Sequence, residues 1–391
     1  RGFGMPPDFN PGSPDQIAGL LFDRLGLDPV SETKLGDPST EDEALRELMI
    51  GTIESPVRDF IIKLRLYRKW VKFRGTWLRR ATVREGKGSE GIWVWGDGRV
   101  RSSWKAHTTP TGRSSSSDPG LQNVVRKLRV IYGAAPGHAL VFADMDALEL
   151  RYVAARSRDE LFCAALRDSA RDLHAETTAL LYEDKFLREP KGSPNWESMR
   201  DYSKRFTYGT IYVATVQTVH ETICSAEDDD GNLVYAAMPY RVTKRNFKKF
   251  WKAHPAIKAD AKRIVDTWRE KGHLRELVGG RRCDFLDGED VSKLVNWGTQ
   301  SGGRALVLRS IAPVLERYPI GFAGPGTGPI HDGHDSLGIE VPLGQEQEAA
   351  AFLKEAMTQR VDWTDIEFTA SAKIGVNWGG LVKPEKWKGT A

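Results

Sequence analysis

The sequence predicts an α+β protein in which one mixed domain is interrupted by a helical insertion. Three observations carry this. Apolar residues recur at helical spacing through the first ~80 positions; strand-like alternation begins near Gly86; and helical spacing returns from about Arg156 to Leu277 before strand-like pieces reappear.

With 391 residues, 40% hydrophobic and 28% charged, the chain can bury the cores of two or three domains and is too apolar for disorder. No apolar run reaches the ~18–20 residues of a membrane span, and no basic-then-apolar leader opens the chain. Cys163, Cys224 and Cys283 stand too far apart for a disulfide scaffold or a Cys-type zinc site, and fit a reducing cytoplasm.

Taken in order, Ser13-Pro14 reads as an N-cap and first helical residue, with Ile17, Leu20, Leu21 and Leu25 behind it and Gly26 closing the helix. Ser39 to Glu43 starts a second helix. Phe60, Ile61, Leu64 and Tyr67 form the apolar stripe of a third, whose cations should then face away from the core. Gly91 to Gly96 alternates like a short strand, and Ala139 to Ala143 reads as a buried strand ending on Asp144. The acidic turn Glu227 to Gly231 breaks the helical insertion; Ile339–Val341 and Ile366–Thr369 are later strands.

The net charge is only +4, but its distribution is uneven. Nine cations and no acid lie between Phe60 and Arg84, and Arg101, Lys105, Arg113, Arg126, Lys127 and Arg129 face Asp118 alone between Val100 and Leu140. Either a solvated helix face or a polyanion laid along the protein accounts for such runs.

Chemistry concentrates in two carboxylates and one helix face. Asp144 ends an apolar strand and Asp335 immediately precedes one. Carboxylates so placed can hold oxygen-ligated divalent metals beside a phosphate, although each alone is ordinarily a turn residue. Arg200, Lys204, Tyr208 and Tyr212 recur every four residues and share one broad helix face, suited to a triphosphate and a base, or simply to solvent.

In order and wording these stretches resemble the polymerase region of family A DNA polymerases, the bacterial polymerase I and phage replicative type. Asp144 to Arg151 keeps the D, E, L and R of D-Y-S-Q-I-E-L-R; Arg200, Lys204, Tyr208, Gly209 and Tyr212 fit R-x-x-x-K-x-x-x-[FY]-G-x-x-Y-G; His334, Asp335 and Pro342 fit V-H-D-E and its following strand. Thr109 to Asn123 resembles T-x-T-G-R-x-S-S-x-x-P-N-L-Q-N, Asp172-Leu173-His174 resembles D-I-H, and Asn296 and Gln300 match N-x-x-x-Q. Phe9 to Gln16 is similar to the thumb's F-N-x-x-S-x-x-Q, and Gly375 and Trp378 to the closing G-x-x-W.

The resemblance implies a right-hand polymerase with a mixed palm on an antiparallel sheet, helical fingers and a helical thumb. The expected domains are thumb 1–80, palm 81–155 and 287–391, and fingers 156–286. Its activity would be template-directed addition of dNTPs to a primer 3′-hydroxyl with pyrophosphate release. By the same resemblance, Asp144, Asp335 and the Met145 carbonyl hold two Mg²⁺, with Mn²⁺ as a substitute. Arg200, Lys204 and His174 hold the triphosphate, Lys204 also being the proton donor. Glu149 excludes the 2′-hydroxyl, Tyr208 sits at the position where tyrosine goes with dideoxynucleotide acceptance, and Tyr212 stacks near the template base. Arg65, Lys69, Arg113, Gln122, Asn123, Asn296, Gln300 and His334 contact primer–template DNA. Accessory replication proteins are a further partner class, no membrane is involved, and the expected location is the cytoplasm of a bacterial cell or phage-infected host.

Departures from the family pattern are Met145 for Tyr, Ala147 for Gln, Val213 for Gly, Ser301 for Gly and Ser336 for Glu. His-Asp-Ser is also how related single-subunit RNA polymerases write this motif, so an RNA- or primer-synthesising relative is the rival reading, and a catalytically silent DNA-binding remnant is another. By its spacing to Pro342, Asp335 and not Asp332 is the motif aspartate. The resemblance begins within the thumb, so the expectation is a chain without exonuclease domain or proofreading. It is read as a fragment of a longer polymerase, or as one whose start lies near Met5 with Arg1 to Gly4 a processing remnant.

Overall fold

A four-stranded antiparallel sheet organises the larger part of the molecule: β1 (His138–Met145), β2 (Gly328–Asp332), β3 (Ser336–Pro342) and β4 (Ala370–Gly375), in the order β4-β1-β3-β2. The structure, a computed structural model, describes residues 3, 5–51, 56–78, 91–106, 108–168, 171–228, 232–284, 290–324 and 326–389. The chain divides into one unit of Arg1–Val100 with Gln217–Thr243 and a second of Arg101–Val216 with Lys244–Ala391.

In the first unit, Ser13 caps helix α1 (Pro14–Ala18), which runs on as a π-helix over Gly19–Arg24, and Gly26 takes φ +67° where the chain turns away. Helices α2 (Asp42–Gly51) and α3 (Pro56–Phe73) join it around Ile17, Leu21, Leu45, Met49, Ile61 and Leu64. The core face of α3 differs from the expected stripe. Tyr67 is exposed, and Arg65 is buried at 7% exposure. Arg65 forks onto Asp42 with two 2.9 Å bonds and pairs with Glu227 at 2.5 Å. Arg68 also turns inward, donating to the Pro11 and Thr40 carbonyls. A long side chain whose stem crosses apolar surface can reach a carboxylate across the interface, which periodicity alone does not register. Lys63, Lys69, Lys72 and Arg74 stay exposed, while Arg79, Arg80 and Arg84 lie outside the described residues. Where a short strand is expected at Gly91–Gly96, the described residues show bridge pairing, Val94 to Val100.

In the second unit β1 lies between β4 and β3, and Ala139, Leu140, Val141, Phe142 and Ala143 are all buried. The helices used below are α4 (Leu148–Ser157), α5 (Leu173–Tyr182), α6 (Pro194–Ile211), α7 (Tyr240–Ala253), α8 (Val291–Arg317) and α9 (Glu346–Met357), of which α8 and α9 pack on the sheet. Helix α9 packs on β1 and β4 through Ala349, Ala350, Leu353 and Met357, spaced for one helix face; each large apolar side chain so buried contributes about 1.5–3 kcal/mol. On the other face Phe142 stacks on Trp378 at 5.7 Å and lies over Gly338, where a Cβ would come within 2.6 Å of its ring. No helix among the described residues is long and apolar enough to cross a membrane.

Candidate active site

The strand pairing brings the two predicted carboxylates together. Asp144 pairs in register with Ser336, and the Met145 N–H donates to the Asp335 carbonyl at 2.9 Å. Both aspartates line a cleft of about 390 Å³ with His334, Arg129, Lys373 and Trp378. Asp144 stays accessible to solvent at the cleft floor, yet the enclosing walls strip bulk hydration, and with the charge of Asp335 beside it its carboxyl is pushed up to about 7. Burial also raises Asp335, against the pull of Arg113 and His334. Neither carboxylate has a side-chain partner among the described residues.

The neighbouring acids differ. Asp146 accepts from Thr369 Oγ1 (3.1 Å) and Ser371 Oγ (2.8 Å), and Asp332 is paired with Arg304. Arg151, the last residue of the first motif, ties the Asp146 and Glu367 carbonyls together at 2.8 Å each and so fixes the chain just past Asp144.

Helix α6 begins on a Ser193 cap with Pro194 behind it. It buries Trp196, Met199, Tyr202, Phe206 and Ile211, with Arg200 and Tyr208 half-buried and Lys204 exposed along one adjoining face. Asp172 does two jobs: it caps α5 by accepting from the His174 and Ala175 N–H groups, and it holds Arg200 through bonds of 3.0 and 2.8 Å. The exposed Lys204 has no ion pair among the described residues. Burial, then the charges of Arg200 and Lys204, depress His174 to about 4, and its Nδ1 has no partner among the described residues. Tyr208 lies 6.0 Å from the His174 ring and feels Glu149, Asp335 and Asp144, its hydroxyl pushed up to about 12 chiefly by burial.

Glu149, in the first turn of α4, is held from two sides, by Arg113 Nη2 at 3.0 Å and by the Tyr212 hydroxyl. Burial first, and then Glu149, raises the Tyr212 pKa far above the ordinary phenol value, so the phenol keeps its proton and donates.

A family model described as DNA polymerase family A matches residues 4–380. The chain belongs to DNA polymerase family A. It is 27% identical over 388 residues to the thermostable DNA polymerase I of Thermus filiformis, covering 95% of this chain and 42% of that protein. It is 31% identical over 383 residues to DNA polymerase I of Pseudomonas aeruginosa, covering 95% of this chain and 38% of that one. The chain thus spans about two fifths of the length of these curated relatives. The solved POL domain of Pol1 from M. smegmatis, in complex with DNA primer-template and dNTP, shares the fold with a TM-score of 0.72 at 20% identity, covering 95% of this chain and 62% of that chain.

Within this family A chain, Asp144, Asp335, Glu149, Arg113, His334, Tyr208 and Tyr212 share one electrostatic neighbourhood. Asn296 and Gln300 lie half-buried on α8, which Trp297 Nε1 ties to the Pro110 carbonyl at 2.9 Å; Asn296 Oδ1 is buried with no partner among the described residues. Gln122 is engaged with Ser114 and Asp332, Asn123 is exposed, and Lys69 is exposed near Phe73. Arg65 does not join them, since its guanidinium is consumed by Asp42 and Glu227. Lys373 and Arg304 carried no local signal. Lys373 reaches the cleft because it pairs with Phe142, two residues before Asp144 on the same strand face.

Asp144 and Asp335 offer the cleft two carboxylates that no side chain hydrogen-bonds or pairs among the described residues. That chemistry fits a hard divalent cation such as Mg²⁺.

Proposed function

We propose that this chain catalyses template-directed addition of deoxynucleotides to a primer 3′-hydroxyl, with release of pyrophosphate. The observation that carries the reading is the convergence of Asp144 and Asp335, unpaired and with raised pKa values, in one neighbourhood with the Arg200–Lys204–Tyr208 face of α6. Thumb, palm and fingers are assigned to residues 1–80, to 81–155 with 287–391, and to 156–286. Primer–template DNA and dNTPs are the partners, in the cytoplasm where such a template lies.

Asp144 and Asp335, with the Met145 carbonyl, would hold the two Mg²⁺ ions, whose chemistry is to acidify the hydroxyl and offset charge on the phosphates. The bond from the 3′-oxygen to the α-phosphorus forms as the bond to the pyrophosphate oxygen breaks. Arg200, fixed by Asp172, and Lys204 hold the β- and γ-phosphates. With a pKa near 4, His174 is neutral at pH 7 and binds as an N–H donor, which leaves Lys204 as the group that protonates the departing pyrophosphate. Glu149, braced by Arg113 and Tyr212, stands where a 2′-hydroxyl would enter. Gln122, Asn123, Asn296, Gln300 and His334 face the duplex, where minor-groove acceptors allow contact without sequence choice.

Primer extension on a labelled primer–template, with dNTPs or rNTPs and Mg²⁺, tests the reading. Extension with dNTPs, lost in Asp144→Ala and Asp335→Ala, is the expected result. Extension with rNTPs would favour the RNA-making reading that Ser336 supports, and duplex binding without extension would mean a silent remnant.

A further inference from the structure

Asp335 sits in a turn that is held at both ends. The Gly333 N–H closes it onto the Ser336 carbonyl at 2.7 Å, and a Cβ at Gly333 would lie 2.1 Å from Ser336 Oγ. Beyond Asp335 the turn is tied to the Asp144 strand through Met145. Before it, Asp332 receives a forked guanidinium from Arg304 of α8: Nη1 to Oδ1 at 2.5 Å and Nη2 to Oδ2 at 2.6 Å, with Nη1 also 3.4 Å from the Gly333 carbonyl. Ser114 Oγ donates to Asp332 Oδ2 at 2.8 Å; Gln122 Nε2 donates to Ser114 Oγ at 3.0 Å and to the Asp332 carbonyl at 2.8 Å. Two segments far apart in sequence, one carrying Ser114 and Gln122 and the other Arg304, thus converge on the residue three before Asp335.

We propose that Arg304 and Asp332 are positioning residues for Asp335: the buried fork fixes the turn that aims this carboxylate. The proposal rests on the polymerase reading. Arg304 is 4% exposed. A buried ion pair is a weak source of net stability, since its attraction is offset by desolvation, but its two parallel bonds impose one geometry.

The test uses the full chain with Arg304→Lys, which keeps charge but loses the fork, Asp332→Asn, and the apolar double variant Arg304→Met with Asp332→Leu. Four quantities are measured: Mn²⁺ binding by electron paramagnetic resonance without DNA, single-turnover extension, primer–template Kd, and melting temperature. The expected result is Mn²⁺ affinity and extension rate each lower by about 10- to 100-fold, with primer–template Kd within about twofold. The double variant should recover melting temperature but not Mn²⁺ affinity or rate. Wild-type Mn²⁺ affinity in folded Arg304→Lys and Asp332→Asn, with only melting temperature lowered, would overturn the proposal. If the unmutated chain fails to extend primers, the polymerase reading fails, while the Mn²⁺ comparison still decides whether the fork positions Asp335.

Discussion

The end of β1 and the turn after it carry Asp144 and Asp146, the stretch from the end of β2 to β3 carries Asp332 and Asp335, and each treats its pair in the same unequal way. Asp146 and Asp332 are fully partnered, by Thr369 and Ser371 in one case and by Arg304 and Ser114 in the other. Asp144 and Asp335 have no side-chain partner among the described residues, and their pKa values rise. The pair proposed to hold metal is thus the pair that lacks side-chain compensation. The two cationic helices show the same contrast: Arg65 of α3 is consumed by Asp42 and Glu227, whereas Lys204 of α6 stays exposed beside His174.

The largest expected effect breaks or confirms the inequality directly. Asp144→Ala or Asp335→Ala should lower single-turnover extension by ~10³-fold or more, whereas Asp146→Asn should stay within about tenfold of the unmutated chain. Equal losses at Asp144 and Asp146 would remove the distinction.

Lys204→Ala sharpens the helix contrast. As the remaining proton donor, it should lower kcat by about 10²-fold with a smaller change in KM. Lys69→Ala should leave kcat alone and weaken primer–template binding in a salt-dependent way. Next in size, Glu149→Ala should raise kcat/KM for rNTPs relative to dNTPs by about tenfold or more, since nothing else braced by Arg113 and Tyr212 fills that space.

His331 extends the comparison to a buried base. It lies among Trp104, Phe142 and Trp378, and burial depresses its pKa to about 4. Because the folded pKa lies below the ordinary 6.5, the unfolded chain takes up the proton first as pH falls. The contribution is complete above about pH 6.5 and is lost toward pH 4, by up to about 3 kcal/mol. Urea unfolding at pH 7 and 4.5 should show that loss in the unmutated chain and a correspondingly smaller one in His331→Phe.

The smallest effect concerns backbone. Val213, where the family pattern has Gly, adopts φ +54°. Left-handed geometry costs a β-branched residue about 1–2 kcal/mol, partly offset by the chain entropy that glycine loses. Val213→Gly should therefore raise melting temperature by about one or two degrees.

By itself the sequence determined the α+β class, the strand ending on Asp144, the strand after Asp335, the Ser13 cap, and the α6 face carrying Arg200, Lys204 and Tyr208. These depend on residues a few positions apart, and local spacing in a helix or strand is fixed by backbone geometry. Tertiary structure decided which acids are neutralised, that Arg65 is consumed in a core, that Lys373 joins the cleft and that Arg304 braces Asp332. Each of those pairings joins segments separated by tens to hundreds of positions, and the charge state of a buried group depends on every neighbour that folding brings to it.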